Sequence, residues 1–314
     1  MANPATPLPA VDPRVASVLR RLELDVSRRL DGLLHGDHRG LVPGHGSEPG
    51  EARQYVAGDD VRRIDWNVTA RTQHPHIRET IADRELECWL VADRTASVDF
   101  GTADHTKADL LLAAAGAVSL LTSRGGNRLG AVVCGPDGPV TVPARQGRSH
   151  TLSILTRIAT TEPRDGVSPM SLGETLVRLR SIARRRGLVV VLSDFLDDPD
   201  TWRRELAALG TRHELLCIEA VDPTELELPP VGVLTVIDTE SGRVREVNTS
   251  DRKLRARYAL EAGRQRDAIS SAIRRAGADH IQLRTDGDWL AELAGHVSTR
   301  RRRAANTNTV GGRR

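Results

Sequence analysis

The sequence predicts an α/β protein built on a doubly wound, mostly parallel sheet with helices on both faces. Three observations predict it. Runs such as Leu86-Glu-Cys-Trp-Leu-Val-Ala92 and Leu188-Val-Val-Val-Leu-Ser193 are short and nearly continuous in apolar residues, as strands buried on both faces are. Such runs alternate along the chain with segments of helical periodicity, which is the pattern of βαβ units. Both runs also end in a carboxylate, Asp93 and Asp194, at the strand end where open α/β sheets bind their ligands.

Composition narrows the class. Of 314 residues, 39% are hydrophobic and 28% charged, ordinary for a soluble chain able to bury a sizeable core. Aromatic residues make up 3%, too few for the stacking platforms that hold single-stranded nucleic acid. A formal net charge of +3 indicates no partner by itself. No apolar run reaches the roughly 20 residues of a membrane span, and Met1-Ala-Asn-Pro-Ala-Thr-Pro7 lacks a basic stretch leading into an apolar one. A cytoplasmic location is expected. Cys88, Cys134 and Cys217 lie far apart in apolar runs and read as small core residues, without the close pairs of a zinc site.

Residues 1–12, rich in Pro and Ala, are expected to be disordered. Val15, Val18, Leu19, Leu22, Val26, Leu30 and Leu33 recur at helical spacing after Asp12-Pro13, an N-cap and N1 pair, so a helix is expected over 13–34. Within the N-terminal region, 13–85, the segment from Gly50 to Trp66 is the least ordinary. Glu51, Arg53, Asp59, Asp60, Arg62 and Asp65, with Arg71 beyond, interleave with Tyr55 and Trp66, and Gly58-Asp59 marks a turn. A partly buried ion-pair network suits this pattern best, and a partner-binding surface is the alternative. The strand at 86–92 follows, then a helix over 106–124 stopped by Gly125-Gly126. Next come a strand over 128–134, a short edge strand over 140–142 and helices over 149–159 and 171–185. The strand at 188–193 precedes a helix over 201–209 opened by Pro199, and a strand covers 213–221. Residues 231–238 and 243–247 read as a hairpin on the sheet edge. A long helix over 250–276, a strand over 279–283 and a short helix over 289–293 close the domain, which spans 86–296. A basic tail, 297–314, is expected to be disordered. In a doubly wound order of the 3-2-1-4 type, the strand at 86–92 is first and that at 188–193 fourth. They then flank the switch point, with Asp93 beside Asp194.

Beyond Asp93, Thr95 and Ser97 follow at alternate positions. A carboxylate with two hydroxyls offers only oxygen, which suits a hard cation such as Mg²⁺. Taken alone, capping of the following turn is the better reading of the two hydroxyls. Asp93-Arg-Thr-Ala-Ser97 resembles the metal-ion-dependent adhesion motif, Asp-x-Ser-x-Ser, of von Willebrand factor A domains. The segment Gly50 to Trp66, Ala70-Arg71 and Ser193-Asp194-Phe195 resemble the signature of one branch of these, the family called domain of unknown function 58. The resemblance covers about residues 40 to 290. It implies a Rossmann-like von Willebrand A-type domain with no catalysis of its own, acting as an adaptor or chaperone-like partner of a MoxR-type AAA+ ATPase and a client protein. Carried over, Asp93, Thr95 and Ser97 would hold Mg²⁺ in the first loop and Asp194 would be the distal carboxylate. The motif's further Thr falls on Met170, a poor Mg²⁺ ligand. Ser171 would serve by a one-residue shift, or the site is degenerate.

Two rivals come from other classes. A haloacid-dehalogenase-like phosphohydrolase would use Asp93 as nucleophile with Asp197 and Asp198 as metal ligands, but it needs an Asp where Thr95 stands. Nucleic-acid binding would use Arg184-Arg-Arg186, Arg274-Arg275 and Arg300-Arg-Arg-Arg303. For the first of these clusters, favourable interaction with a helix C-terminus is explanation enough.

Overall fold

The computed structural model describes residues 49–55, 64–80, 86–103, 105–123, 127–135, 138–162, 171–237 and 244–299. The helix expected over 13–34, both termini, and Gly58, Asp59, Asp60, Arg62 and Met170 lie outside them. The N-terminal region contributes a small unit: strand β1 (Pro49–Gln54) pairs antiparallel with β2 (His76–Thr80), and helix α1 (Trp66–Thr72) lies between them in sequence. Asp65 starts α1 by accepting hydrogen bonds from the backbone N–H groups of Asn67 and Val68, as an N-cap does.

The rest is one sheet between two helical layers. In chain order its elements are β3 (Glu87–Asp93), α2 (Lys107–Ser123), β4 (Arg128–Cys134), β5 (Val140–Arg145), α3 (Arg148–Thr160), α4 (Leu172–Ile182), β6 (Gly187–Ser193), α5 (Pro199–Gly210) and β7 (Glu214–Val221). Strands β8 (Val233–Ile237) and β9 (Val244–Asn248), helix α6 (Arg252–Arg275), strand β10 (Asp279–Arg284) and helix α7 (289–299) complete it. The strands lie in the order β10-β7-β6-β3-β4-β5, all parallel except β5, which runs antiparallel to β4. Renumbered within the sheet this is the doubly wound 3-2-1-4-5-6 order, so β3 and β6 are neighbours at the switch point. Ala92 of β3 pairs with Leu192 of β6, which brings both strand ends to the same lip.

Alternation along each strand divides the core in two. Leu90, Ala92, Val190, Leu192, Ile218 and Leu283 face a cluster with α2, α3 and α7, while Trp89, Val91, Val189, Val191 and Cys217 face α4, α5 and α6. Every residue of β3 is buried, which is why its sequence shows no polar alternation. All three cysteines are buried and none forms a disulfide.

Strands β3 and β6 approach closely at Gly187. A Cβ placed there would stand 1.8 Å from the carbonyl oxygen of Glu87, and backbone cannot swing aside as a flexible side chain can. Gly187→Ala is therefore expected to cost about 3 kcal/mol, the upper end for overpacking. Urea unfolding would measure it, and a loss below about 0.5 kcal/mol would mean the two strands can part freely.

Two expectations about the C-terminal half need correction. The hairpin β8–β9 does not extend the main sheet but forms a two-stranded sheet of its own. The edge beside β7 is already taken by β10, paired from Asp279↔Leu216 to Arg284↔Val221. The closing helix runs on past residue 293 to 299, because Leu290, Leu293, Ala294 and Val297 form a continuous buried stripe at helical spacing. Residues 297–299 thus belong to the domain and not to the tail.

Candidate functional site: a charged lip at the switch point

At the carboxyl end of β3, Asp93 is buried and its two oxygens are occupied. Oδ1 accepts from the backbone N–H of Thr95 at 3.0 Å and Oδ2 from the Ser193 hydroxyl at 2.6 Å. The Thr95 and Ser97 hydroxyls, both half-buried, lie 3.1 Å apart in hydrogen-bond contact. Ser193 also accepts from the N–H of Phe195 at 3.0 Å. Phe195 adopts a left-handed backbone (φ 54°) that a bulky residue rarely takes. Its ring offsets that strain by packing edge-on against Trp202, with centroids 5.3 Å apart. That turn carries Asp194.

Asp194 stands beside Asp93 and is held by partners that sequence spacing does not reveal. Its Oδ2 accepts from Lys107 Nζ at 2.8 Å, and its Oδ1 from the Leu196 N–H at 3.3 Å. Lys107 donates again to Glu225 Oε1 at 2.5 Å. Arg266 Nη2 donates to Glu225 Oε2 at 2.8 Å, and Arg266 Nη1 donates to Glu219 Oε1 at 2.7 Å and to the backbone carbonyl of Asp194 at 3.2 Å. Glu219 Oε2 lies 2.8 Å from His280 Nε2 and accepts from Gln282 at 3.2 Å. Lys107 and Glu219 are fully buried, and Asp194 and Arg266 nearly so. Two cations thus face three carboxylates along one chain of contacts, and Asp93 makes a fourth. Burial costs Lys107 its charge in principle, but the fields of Asp194 and Glu225 outweigh it and raise its affinity for the proton.

Farther along the lip, Asp222 follows β7. Burial pushes its carboxyl up, but bonds from Thr102, Thr224 and Thr285 outweigh this and hold it at about 2. Asp222 is a strut between loops, fixing the segment after β3 to the ends of β7 and β10.

Asp93 is the unbalanced member. Burial first, and the neighbouring charge of Asp194 second, push its carboxyl up to about 6 from an ordinary 3.8. A group that binds its proton more tightly folded than unfolded stabilises the fold at low pH and loses that contribution as pH rises through about 6. Asp93→Asn is therefore expected to gain up to about 3 kcal/mol relative to the parent chain between about pH 4 and pH 8 in chelator. Urea unfolding across that range measures it, and a constant difference would place Asp93 in solvent-like surroundings.

Do these residues suit a divalent cation? The Asp194 carboxylate is already engaged by an ammonium. A divalent ion sharing it would lie within about 5 Å of Lys107, a repulsion of several kcal/mol even at an effective dielectric of about 20. Ser171 does not turn toward Asp93. It caps α4 in a reciprocal capping box, accepting from the N–H of Glu174 at 3.3 Å, while its own N–H and hydroxyl donate to Glu174 Oε2 at 2.9 and 3.1 Å. What remains is one carboxylate and two hydroxyls that already bond one another, a poor donor set for Mg²⁺. The residues present do not fit the metal.

The rival ligands of a phosphohydrolase are likewise committed to helix ends. Asp197 accepts from the N–H of Leu172 at 3.2 Å, and Asp198 caps α5 through Asp200. Arg184-Arg-Arg186 follow α4 rather than ending it, and Arg185 lies 3.8 Å from Glu87. In the N-terminal signature, Glu51 and Arg53 lie on β1 and Tyr55 just beyond it, half-buried. Asp65 caps α1, Arg71 donates to the carbonyl of Asn67, and Trp66 is 71% exposed. Asp65 and Arg71 thus bond within their own helix, while Asp59, Asp60 and Arg62 lie outside the described residues. Trp66 leaves a large apolar face open.

A model of the family described as protein of unknown function DUF58 matches residues 51–268. The uncharacterized protein Rv1480 of Mycobacterium tuberculosis is 52% identical over 293 residues, covering 93% of this chain and 92% of its own. Among solved structures, an aerotolerance-related membrane protein from Bacteroides fragilis aligns with a TM-score of 0.42 at 12% identity, over 68% of this chain and 97% of that one. The VWA domain of SpRpn10 aligns with a TM-score of 0.36 at 12% identity, over 67% and 94%. No helix among the described residues is long and apolar enough to cross a membrane. With a family model spanning most of its length and a relative identical at half the aligned positions, the chain belongs to the DUF58 family.

Proposed function

We propose that the protein is a non-enzymatic interaction module that works with a MoxR-type AAA+ ATPase and a client protein, and that partners dock on the lip around Asp93, Thr95, Ser97 and Asp194. One observation carries this reading. The carboxylates at the switch point are locked by side chains from several elements, so the lip is a rigid, polar surface with two half-buried hydroxyls at its mouth. Rigid scaffolding beneath accessible polar groups favours recognition, since little is lost to ordering on contact. Among the described residues, the hydroxyl bonded to Asp93, that of Ser193, is buried, and those of Thr95 and Ser97 bond one another, which supports a binding role over a hydrolytic one. The exposed Trp66 adds an anchor of the type enriched at binding hot spots.

Capture of the purified ATPase by the immobilised chain tests the proposal. Asp93→Ala is expected to reduce capture about tenfold or more, the loss of one well-placed contact of about 1.4 kcal/mol, while EDTA leaves the parent chain's binding unchanged. Capture indifferent to Asp93→Ala in a folded variant would move the contact away from the lip.

A further inference from the structure

We infer that Lys107 is the lip's resident cation, balancing Asp194 and Glu225 in place of a divalent metal, so that the site works without one. Several independent features of this side chain agree. Its Nζ lies 2.8 Å from Asp194 Oδ2 and 2.5 Å from Glu225 Oε1, a bridge between the end of β6 and the short 3-10 turn, Pro223–Glu225, after β7. The side chain is fully buried, whereas an unconstrained lysine extends its charge into water. Phe100 further encloses it, with the ammonium 5.8 Å from the ring centroid. Lys107 is also the first residue of α2. A positive charge there opposes the helix dipole, so the carboxylates, not the helix, hold it in place. Arg266 reinforces the arrangement from α6 by donating to the Asp194 carbonyl and to Glu225.

This goes beyond docking of an ATPase, because it concerns the charge of the lip itself. A metal-bearing lip offers an open coordination position that a partner's acid completes. A lip whose cation is buried offers the half-buried hydroxyls of Thr95 and Ser97, set over the buried Asp93, to a partner's polar groups.

The test needs no partner. The full chain, stripped with EDTA and dialysed, is titrated with MnCl₂ by calorimetry and by the loss of the free Mn²⁺ resonance signal. It is then melted with MgCl₂, MnCl₂ or EDTA. The parent chain is expected to show no saturable binding at millimolar metal and no shift in Tm. Lys107→Met, which leaves Asp194 without its ammonium beside Asp93, is expected to gain a Tm increase of several degrees in Mn²⁺, since an ion bound only by the folded chain stabilises it by mass action. Adding Asp194→Asn should abolish that gain. Saturable Mn²⁺ binding by the parent chain that disappears in Asp93→Asn would overturn the inference, as would a folded Lys107→Met that ignores Mn²⁺. If Lys107→Met does not fold, Lys107→Gln, which removes the charge but keeps a donor, takes the same measurement, and the parent titration still decides. Failure of ATPase capture leaves all these outcomes untouched.

Discussion

Lys107→Met is expected to lower the free energy of unfolding by about 3–5 kcal/mol, the range for removing one partner of a buried ion pair. The lost attraction is the smaller part of that figure. The larger part is the desolvation of Asp194 and Glu225, which would remain in the interior without the ammonium that lies 2.8 and 2.5 Å from them. For a domain whose whole stability is about 5–15 kcal/mol, the change is a large fraction. Urea unfolding monitored by tryptophan fluorescence gives the value. The companion variant Lys107→Met with Asp194→Asn and Glu225→Gln should recover part of the loss, since uncharged groups cost less to bury. A single-variant loss below about 1 kcal/mol would show the pair to be as well solvated as a surface bridge. The buried network would then have no energetic basis.

Trp202→Ala should cost a comparable 3–5 kcal/mol, through a cavity rather than a charge. Trp202 is fully buried in the layer formed by α4, α5 and α6, and its Nε1 donates to the carbonyl of Asp197 at 3.2 Å. It also supports Phe195 in its left-handed conformation. Removing the indole therefore does two things: it opens a hole in the core, and it frees the turn that presents Asp194. Trp202→Phe separates these effects. It retains a ring for Phe195 and should recover more than half of the lost stability. Equal losses in both variants would mean that the hydrogen bond to Asp197, not ring packing, holds the turn.

Much of the fold was legible because its causes are local. Buried parallel strands need apolar side chains on both faces, and Glu87–Asp93 and Gly187–Ser193 show this directly. The alternation of these strands with periodic helices left a doubly wound order as the simplest arrangement, and the neighbouring of β3 and β6 followed. The hairpin β8–β9 was misplaced because two short strands carry no record of which edge is free. That depended on β10, which arrives later in the chain. Ser171 was drawn into the site by its position relative to Met170, but Glu174, three residues on, already marked it as half of a capping box.

The sequence did hold signals for the missed residues. Glu219 interrupts an otherwise apolar strand, and Arg266 occupies the buried stripe of α6 with Ala262, Ile269 and Ile273. A lysine at the first position of α2 is similarly out of place on dipole grounds. Each signal marks a charge that must find a partner, without saying which.

The amino-acid order by itself thus determined the layered α/β class, the strand order, and the meeting of Asp93 with Asp194, because hydrophobic period and strand ends are properties of neighbouring residues. Only the tertiary structure decided what neutralises that meeting. Lys107 reaches Asp194 across 87 positions and Glu225 across 118, and Arg266 reaches Glu225 across 41. Coulomb attraction in a buried site depends on separations of a few ångströms through space, and those distances are set by how helices seat on the sheet, which no spacing along the chain records.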